Sequence, residues 1–222
     1  TGLLKHGRFS GLKRQLAFKL AALLGNRALL PPGARELLVG DDLEVDPLVY
    51  ALYADILAGR LPPSRLQRVL ARRGLSAREV EGLIGLKLRA GNQPGGVRRA
   101  LIRLERSQNA EALLPFAPWV VPCADAYQMG LILWDLGSLS AMGAMRVARN
   151  LRLFDLPPET LERDLWELVR RGRLNVRQVD EQAALLEREG LCRLQGRAPE
   201  VDPAWFAVLS RSGDDPWTPD AG

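Results

Sequence analysis

The amino-acid sequence predicts a mainly α-helical protein with minor β structure, arranged as two related small helical units in tandem. Three observations predict it. Of the 222 residues 47% are hydrophobic and 26% charged, a globular mix that can bury a core, while aromatics make up only 6%. Leu, Ala and Arg outnumber β-branched residues, which favours helix over sheet. Apolar residues recur at helical spacing along much of the chain. The halves also share a succession of residues. Leu61-Pro62-Pro63 matches Leu156-Pro157-Pro158, and Leu66, Arg68 and Leu70 match Leu161, Arg163 and Leu165. After a short insertion Arg72-Arg73-Gly74 matches Arg170-Arg171-Gly172, then Arg78 and Val80 match Arg177 and Val179. A period of roughly a hundred residues points to duplication of one helical module.

Taken in order, Ser10–Leu24 reads as a helix, because Leu12, Leu16, Leu20, Leu23 and Leu24 form one stripe with Lys13, Arg14 and Lys19 off it. Pro31-Pro32-Gly33 ends that region, and Leu37-Leu38-Val39 is a short extended stretch. Asp46-Pro47 opens a helix with Asp46 as N-cap and Pro47 at the first helical position; Leu48, Leu52, Ile56 and Leu57 face inward, and it stops near Gly59. The next helix runs from Pro62 to Arg73. Gly74 breaks it and Ser76 caps a third, Ala77–Arg89. Gly91-Asn92-Gln93-Pro94-Gly95-Gly96 is a loop. In Val97–Arg106, Leu101 and Leu104 suit a helix and the alternation Ile102-Arg103-Leu104 suits a strand; helix is the expectation adopted.

The second half predicts helices over Asp125–Leu136, from the Ser140 cap to Leu153, from Pro157-Pro158 to Arg171, and over Val176–Glu189. A strand-like Leu191–Leu194 and a helical turn around Pro203–Leu209 complete it. The expected divisions are a basic helical region 1–33, a first unit 34–115, a second unit 116–211 and a flexible tail 212–222.

Charge is unevenly placed. Residues 1–111 hold 19 Lys/Arg against 10 Asp/Glu, net +9, and the remainder hold 12 against 16, net −4, which together make the overall +5. The first acid is Glu36, after Lys5, Arg8, Lys13, Arg14, Lys19 and Arg27. Such asymmetry predicts a polyanionic partner for the first half and a different task for the second. For the leading helix three roles stay open: docking on the core with a solvated basic face, phosphate binding, or lying on an anionic membrane surface.

Several function classes are disfavoured. His6 is the sole histidine, which argues against a His-based triad or a His-ligated metal. The Gly91–Gly96 loop lacks the Lys-Ser/Thr of a phosphate-binding Walker loop. Asp41, Asp42, Glu44 and Asp46 read as a turn and a helix cap rather than a magnesium cluster. Cys123 and Cys192 lack metal spacing and read as buried thiols of a reducing compartment. No apolar run approaches the ~18 residues of a membrane span, and no signal-peptide pattern is evident, so a cytoplasmic location is expected. No enzyme activity, cofactor or metal is expected.

Leu66–Gly85 resembles a helix-turn-helix: Gly74 occupies the turn, and Val69, Leu70, Leu75, Val80 and Leu83 supply the locking contacts. Leu70 departs from the small residue usual at that place. In the second half, Leu161–Arg171 (LERDLWELVRR) with Leu165, Leu168, Gly172 and Leu174 resembles the recognition helix of bacterial winged-helix proteins, where this ending leads into a wing. Ala141–Leu153 would then be the positioning helix. The resemblance is to this general superfamily of DNA-binding proteins. It implies that Ser76 and Arg78 approach base edges while Arg65, Arg72 and Arg73 face phosphate. Charge adds Lys13, Arg14, Arg98, Arg99 and Arg103 to the candidate contacts.

The expectation is therefore a bacterial regulator or DNA-maintenance factor that binds duplex DNA through its basic half. Glu159, Glu162, Asp164 and Glu167 would repel phosphate from the second recognition-type helix. The acidic half would instead dimerise, around Leu131, Leu133 and Trp134, or hold a protein partner. An adaptor that uses helix-turn-helix packing without nucleic acid is the alternative.

Overall fold

In the computed structural model, which describes residues 3–105 and 109–210, 59% of the chain is helical and three short strands form one parallel sheet. The side chains of Lys5, His6 and Arg8, residue Arg106 and the expected tail 212–222 lie outside the described part. Contacts divide the chain into two units, one up to Pro122 and one from Cys123.

The first unit opens with α1 (Leu3–Arg27), followed by β1 (Glu36–Asp41), α2 (Asp46–Leu57), α3 (Pro63–Arg72), α4 (Ala77–Ala90), β2 (Val97–Arg103), a 3-10 turn (Ala110–Phe116) and β3 (Val120–Cys123). β2 lies between β1 and β3. β1 and β2 run parallel, with Leu38 opposite Ala100 and Val39 opposite Leu101. A parallel pair needs a long crossover, and α2, α3 and α4 supply it.

This sheet corrects the expected helix at Val97–Arg106. Ala100, Leu101 and Ile102 are all buried, three in succession. Such a run belongs to a strand covered on both faces, not to the stripe of a surface helix. The backbone pairing is long-range: Ala100 N–H donates to Trp119 O at 2.9 Å on one side, and β1 lies on the other.

The core gathers Leu16, Leu20 and Leu24 of α1, Val49, Leu52 and Ile56 of α2, Leu66 and Leu70 of α3, and Leu83 of α4 beneath β2. A polar tie crosses it. Arg27, 1% exposed at the end of α1, donates to Ala34 O at 2.8 Å and Glu36 at 3.1 Å, and also to Gln93 Oε1. Tyr53 Oη donates to the same Glu36 carboxylate at 2.8 Å. Burial, reinforced by that carboxylate, holds the Tyr53 phenol protonated far above its ordinary range.

Asp46 is not the N-cap of α2. Val45 takes that place without a side-chain bond, and the Asp46 carboxylate receives Lys19 instead. Ser76 does cap α4: its Oγ accepts from Glu79 N–H, while Glu79 returns to Ser76 N–H in a complete capping box.

The second unit contains α5 (Ala126–Asp135), α6 (Ala141–Arg152), α7 (Pro158–Arg170), α8 (Val176–Arg188) and α9 (Pro203–Ser210). Asp125, Ser140 and Asn175 cap the first, second and fourth of these. α5 packs on α6 and α7, and α6 packs on α8. Beyond Cys123 no strand occurs among the described residues, so Leu191–Leu194 is not a strand and no wing follows α7. Gly172 turns at φ 64°, and the chain then enters the Asn175–Gln178 capping box, which commits the next residues to helix. The three residues of the expected dimer face differ in exposure. Leu131 is fully buried, and Leu133 and Trp134 are half-buried.

Candidate nucleic-acid interface

Three of the expected cations meet at one place. α3 ends at Arg72, Arg73 is its C-cap, and Gly74 turns the chain toward α4 at φ 81°. That conformation suits glycine. α1 crosses the turn there: a Cβ on Gly74 would come 2.5 Å from Lys13 Nζ and 2.6 Å from its Cε. Lys13, Arg72, Arg73 and Gly74 line a cleft of about 330 Å3 together with Leu12, Leu16, Val45 and Leu48. The three cations are exposed, and among the described residues no carboxylate pairs with any of them. Three uncompensated like charges around one concavity concentrate positive potential, and an anion entering it relieves their repulsion.

The other candidates do not join this cluster. Arg14 is exposed on α1 but does not line the cleft. Arg65 is half-buried on α3 and already has an interaction in the fold. Arg78 is exposed near the start of α4. Ser76 is spent on its cap, where Oγ donates to Glu79 Oε2 at 2.6 Å and the Ser76 amide donates to the same oxygen at 2.7 Å. The Ser76 hydroxyl and amide hold the Glu79 pKa below the ordinary carboxylate value, so a negative charge stands at the start of α4.

Arg98, Arg99 and Arg103 lie on β2 rather than on a basic helix. Arg98 and Arg99 are half-buried with interactions of their own, Arg99 donating to Arg98 O at 2.7 Å. Arg103 is exposed and pairs with Glu105 at 2.9 Å. Arg68 was missed by the sequence reading, although it is exposed one helical turn before Arg72 on α3. The four aliphatic residues of the cleft were missed as well; their shared place depends on α1, α2 and the α3 end meeting.

The acidic run after β1 is wired into the fold. Asp41 Oδ1 accepts from Leu43 N–H at 2.9 Å and Asp42 Oδ1 from Glu105 N–H at 2.7 Å. Glu44 and Asp46 clamp Lys19 at 2.6 and 2.5 Å. Burial opposes the Lys19 charge, but the bonds to Asp46 and Glu44 outweigh it and hold its pKa above the ordinary value. Among the described residues no group of three or more His, Cys, Asp or Glu side chains is placed to hold a metal ion.

Three of the four acids of α7 are likewise engaged internally, while Glu159 is exposed. Glu162 accepts from Gln195 N–H at 2.9 Å and Gly196 N–H at 2.5 Å, and Glu167 binds Arg170 at 2.8 Å. Asp164 is buried and accepts from Gln128 Nε2 at 3.2 Å. The chain matches no protein family, no curated protein and no solved structure. No helix among the described residues is long and apolar enough to cross a membrane.

Proposed function

We propose that this protein is a non-enzymatic nucleic-acid-binding protein, a regulator or DNA-maintenance factor, that holds the phosphate backbone through Lys13, Arg72 and Arg73. The convergence of these three unpaired cations at the Gly74 turn carries the reading. The net +9 of residues 1–111 supports it as a source of long-range attraction. In this reading α3, Gly74 and α4 serve as a helix-turn-helix pair, with Arg14, Arg68 and Arg78 as outlying contacts and duplex DNA as the target expected from that motif. α7 is its acidic counterpart and contacts no phosphate.

The second unit is the protein-binding or dimerising half. Leu153 and Phe154 support that role: they are 75% and 84% exposed at the end of α6, beside Asp155 at φ 62°. Sedimentation of the parent and of Phe154→Ser checks it. A dimer that dissociates in the variant supports self-association through this tip, and a parent that sediments as a monomer removes it.

Binding to random duplex DNA over a salt series tests the main reading. Each phosphate neutralised contributes about −0.9 to the log–log slope, so three cations predict a slope of about −3. Absence of binding to duplex and to single-stranded DNA alike at about 50 mM salt overturns the reading.

A further inference from the structure

We infer that the Lys13–Arg72–Arg73 cleft accepts one unstacked nucleotide, with its phosphate on the three cations and its base on the aliphatic floor. The protein then favours unpaired strands or strand ends over intact duplex. This rests on the nucleic-acid reading above and makes its ligand more specific.

The argument begins with what a phosphate contact does not need. A duplex backbone is a convex, hydrated rail, and its bases are stacked out of reach of a side-on surface. Cations on such a surface stand among other polar groups. Here they share the cleft lining with Leu12, Leu16, Val45 and Leu48, of which Leu16 and Val45 are already buried. Leu12 remains 43% exposed although it sits at the heart of the arrangement, and Leu48 is only half-buried. A rail of hydrated phosphates would leave that apolar floor wet. A nucleotide turned out of its stack brings both chemistries together, an anion and a flat, weakly hydrated base.

Size agrees. A cleft of about 330 Å3 falls at the lower end of small-ligand sites, which run from about 300 to 1,000 Å3, whereas a duplex rail occupies a shallow track. The turn contributes as well: Gly74 has no side chain, and the space a Cβ would need is crossed by the flexible stem of Lys13, which can move aside as a ligand enters. The floor itself offers no hydrogen-bonding side chain to a base edge, so binding tolerates any base.

The test compares three labelled probes of about 12 nucleotides at about 50 mM salt: a single strand, the same strand as duplex, and an abasic strand with phosphates but no bases. The single strand is expected to bind about tenfold more tightly than the abasic strand and more tightly than the duplex. Leu12→Ser should bring the ratio of single-strand to abasic affinity down toward one, and Arg73→Ala should weaken all three probes. Equal affinity for single and abasic strands, or a preference for duplex, overturns this inference but leaves the phosphate-binding reading standing. Failure of all three probes to bind overturns both. The abasic comparison needs no variant, so the outcome does not depend on how Leu12→Ser folds.

Discussion

Arg-Arg-Gly occurs twice at the end of a helix, and the two copies do opposite things. At Arg72-Arg73-Gly74 both guanidinium groups are exposed, and among the described residues no carboxylate pairs with either of them beside Lys13. At Arg170-Arg171-Gly172, Arg170 pairs with Glu167 at 2.8 Å and Asp202 at 2.5 Å. Arg171 is 2% exposed, donates to Gln128 Oε1 at 2.9 Å and lies 5.8 Å from the Trp205 ring centroid. Both glycines turn at positive φ, so the local backbone is alike. What differs is the chemistry around the turn. In one copy the cations face a cleft and are available to a ligand; in the other they are fastening elements of the unit itself.

The largest effect that separates the copies is on stability. Arg171→Ala removes a buried cation, one of the two donors to Gln128 Oε1 (the Ala124 amide, at 2.8 Å, remains) and the contact with the Trp205 face, with an expected cost of about 2 kcal/mol or more. Arg73→Ala, at the matching exposed position, should stay within about 0.5 kcal/mol. Urea denaturation of both variants, read with separate probes for each unit, measures this. Equal losses would mean that Arg73 is as deeply built into the fold as Arg171, and the contrast would disappear.

Beside Arg171 sits a second burial effect with a pH signature. Burial first, then the neighbouring Asp125 charge, raises the Asp164 carboxyl to about 8, against opposing help from Arg163 and Gln128. The folded state therefore holds this proton more tightly than the unfolded chain does. Its stabilising contribution is complete below about pH 4 and is lost as pH rises to about 8, by at most about 1.4 kcal/mol per pH unit. Asp164→Asn cannot titrate, so its melting temperature should gain on the parent steadily across that window and hold a constant offset above it. A gap that does not change between pH 4 and 8 would place a charged, solvated Asp164 in the folded unit.

Binding should separate the copies in the other direction. Arg72→Glu/Arg73→Glu is expected to weaken nucleic-acid binding by at least tenfold and flatten the salt slope by about 2. Arg170→Glu, tested at a temperature where that variant remains folded, should change binding by less than threefold. Similar losses in both would transfer the interface from the cleft to the general charge of the chain.

Local chemistry was legible in the sequence; long-range pairing was not. Gly74, Ser76 and Ser140 were identified by the conformations they permit or the amides they bond, and both conditions are met within four residues of chain. β2 was misread as a helix because Val97–Arg103 earns its strand from β1 and β3, and Arg98, Arg99 and Arg103, candidate contacts on charge alone, lie on that strand. Asp46 was misread for a similar reason: its Lys19 partner outcompetes the cap and comes from another helix. The positive charge of Lys13, Arg72 and Arg73 was evident from composition alone. Their convergence follows from α1 crossing the Gly74 turn, a contact between residues some sixty positions apart that no periodicity announces.

The smallest effect bears on how far α4 takes part in binding. Ser76 and Asn175 head matching capping boxes, Ser76 with Glu79 and Asn175 with Gln178, whose Nε2 also reaches Asp135 at 2.8 Å. Replacing either cap by Ala should cost about 1 kcal/mol. If α4 presents its start to nucleic acid, Ser76→Ala should also weaken binding, because the hydroxyl would be exchanging Glu79 for a phosphate or a base edge. With Ser76 held by Glu79 on both its hydroxyl and its amide, and with a carboxylate in the way, the expected change is less than twofold, the same as for Asn175→Ala. A loss of tenfold or more in Ser76→Ala alone would show that the cap opens on binding and that α4, not only the cleft beside it, meets the ligand.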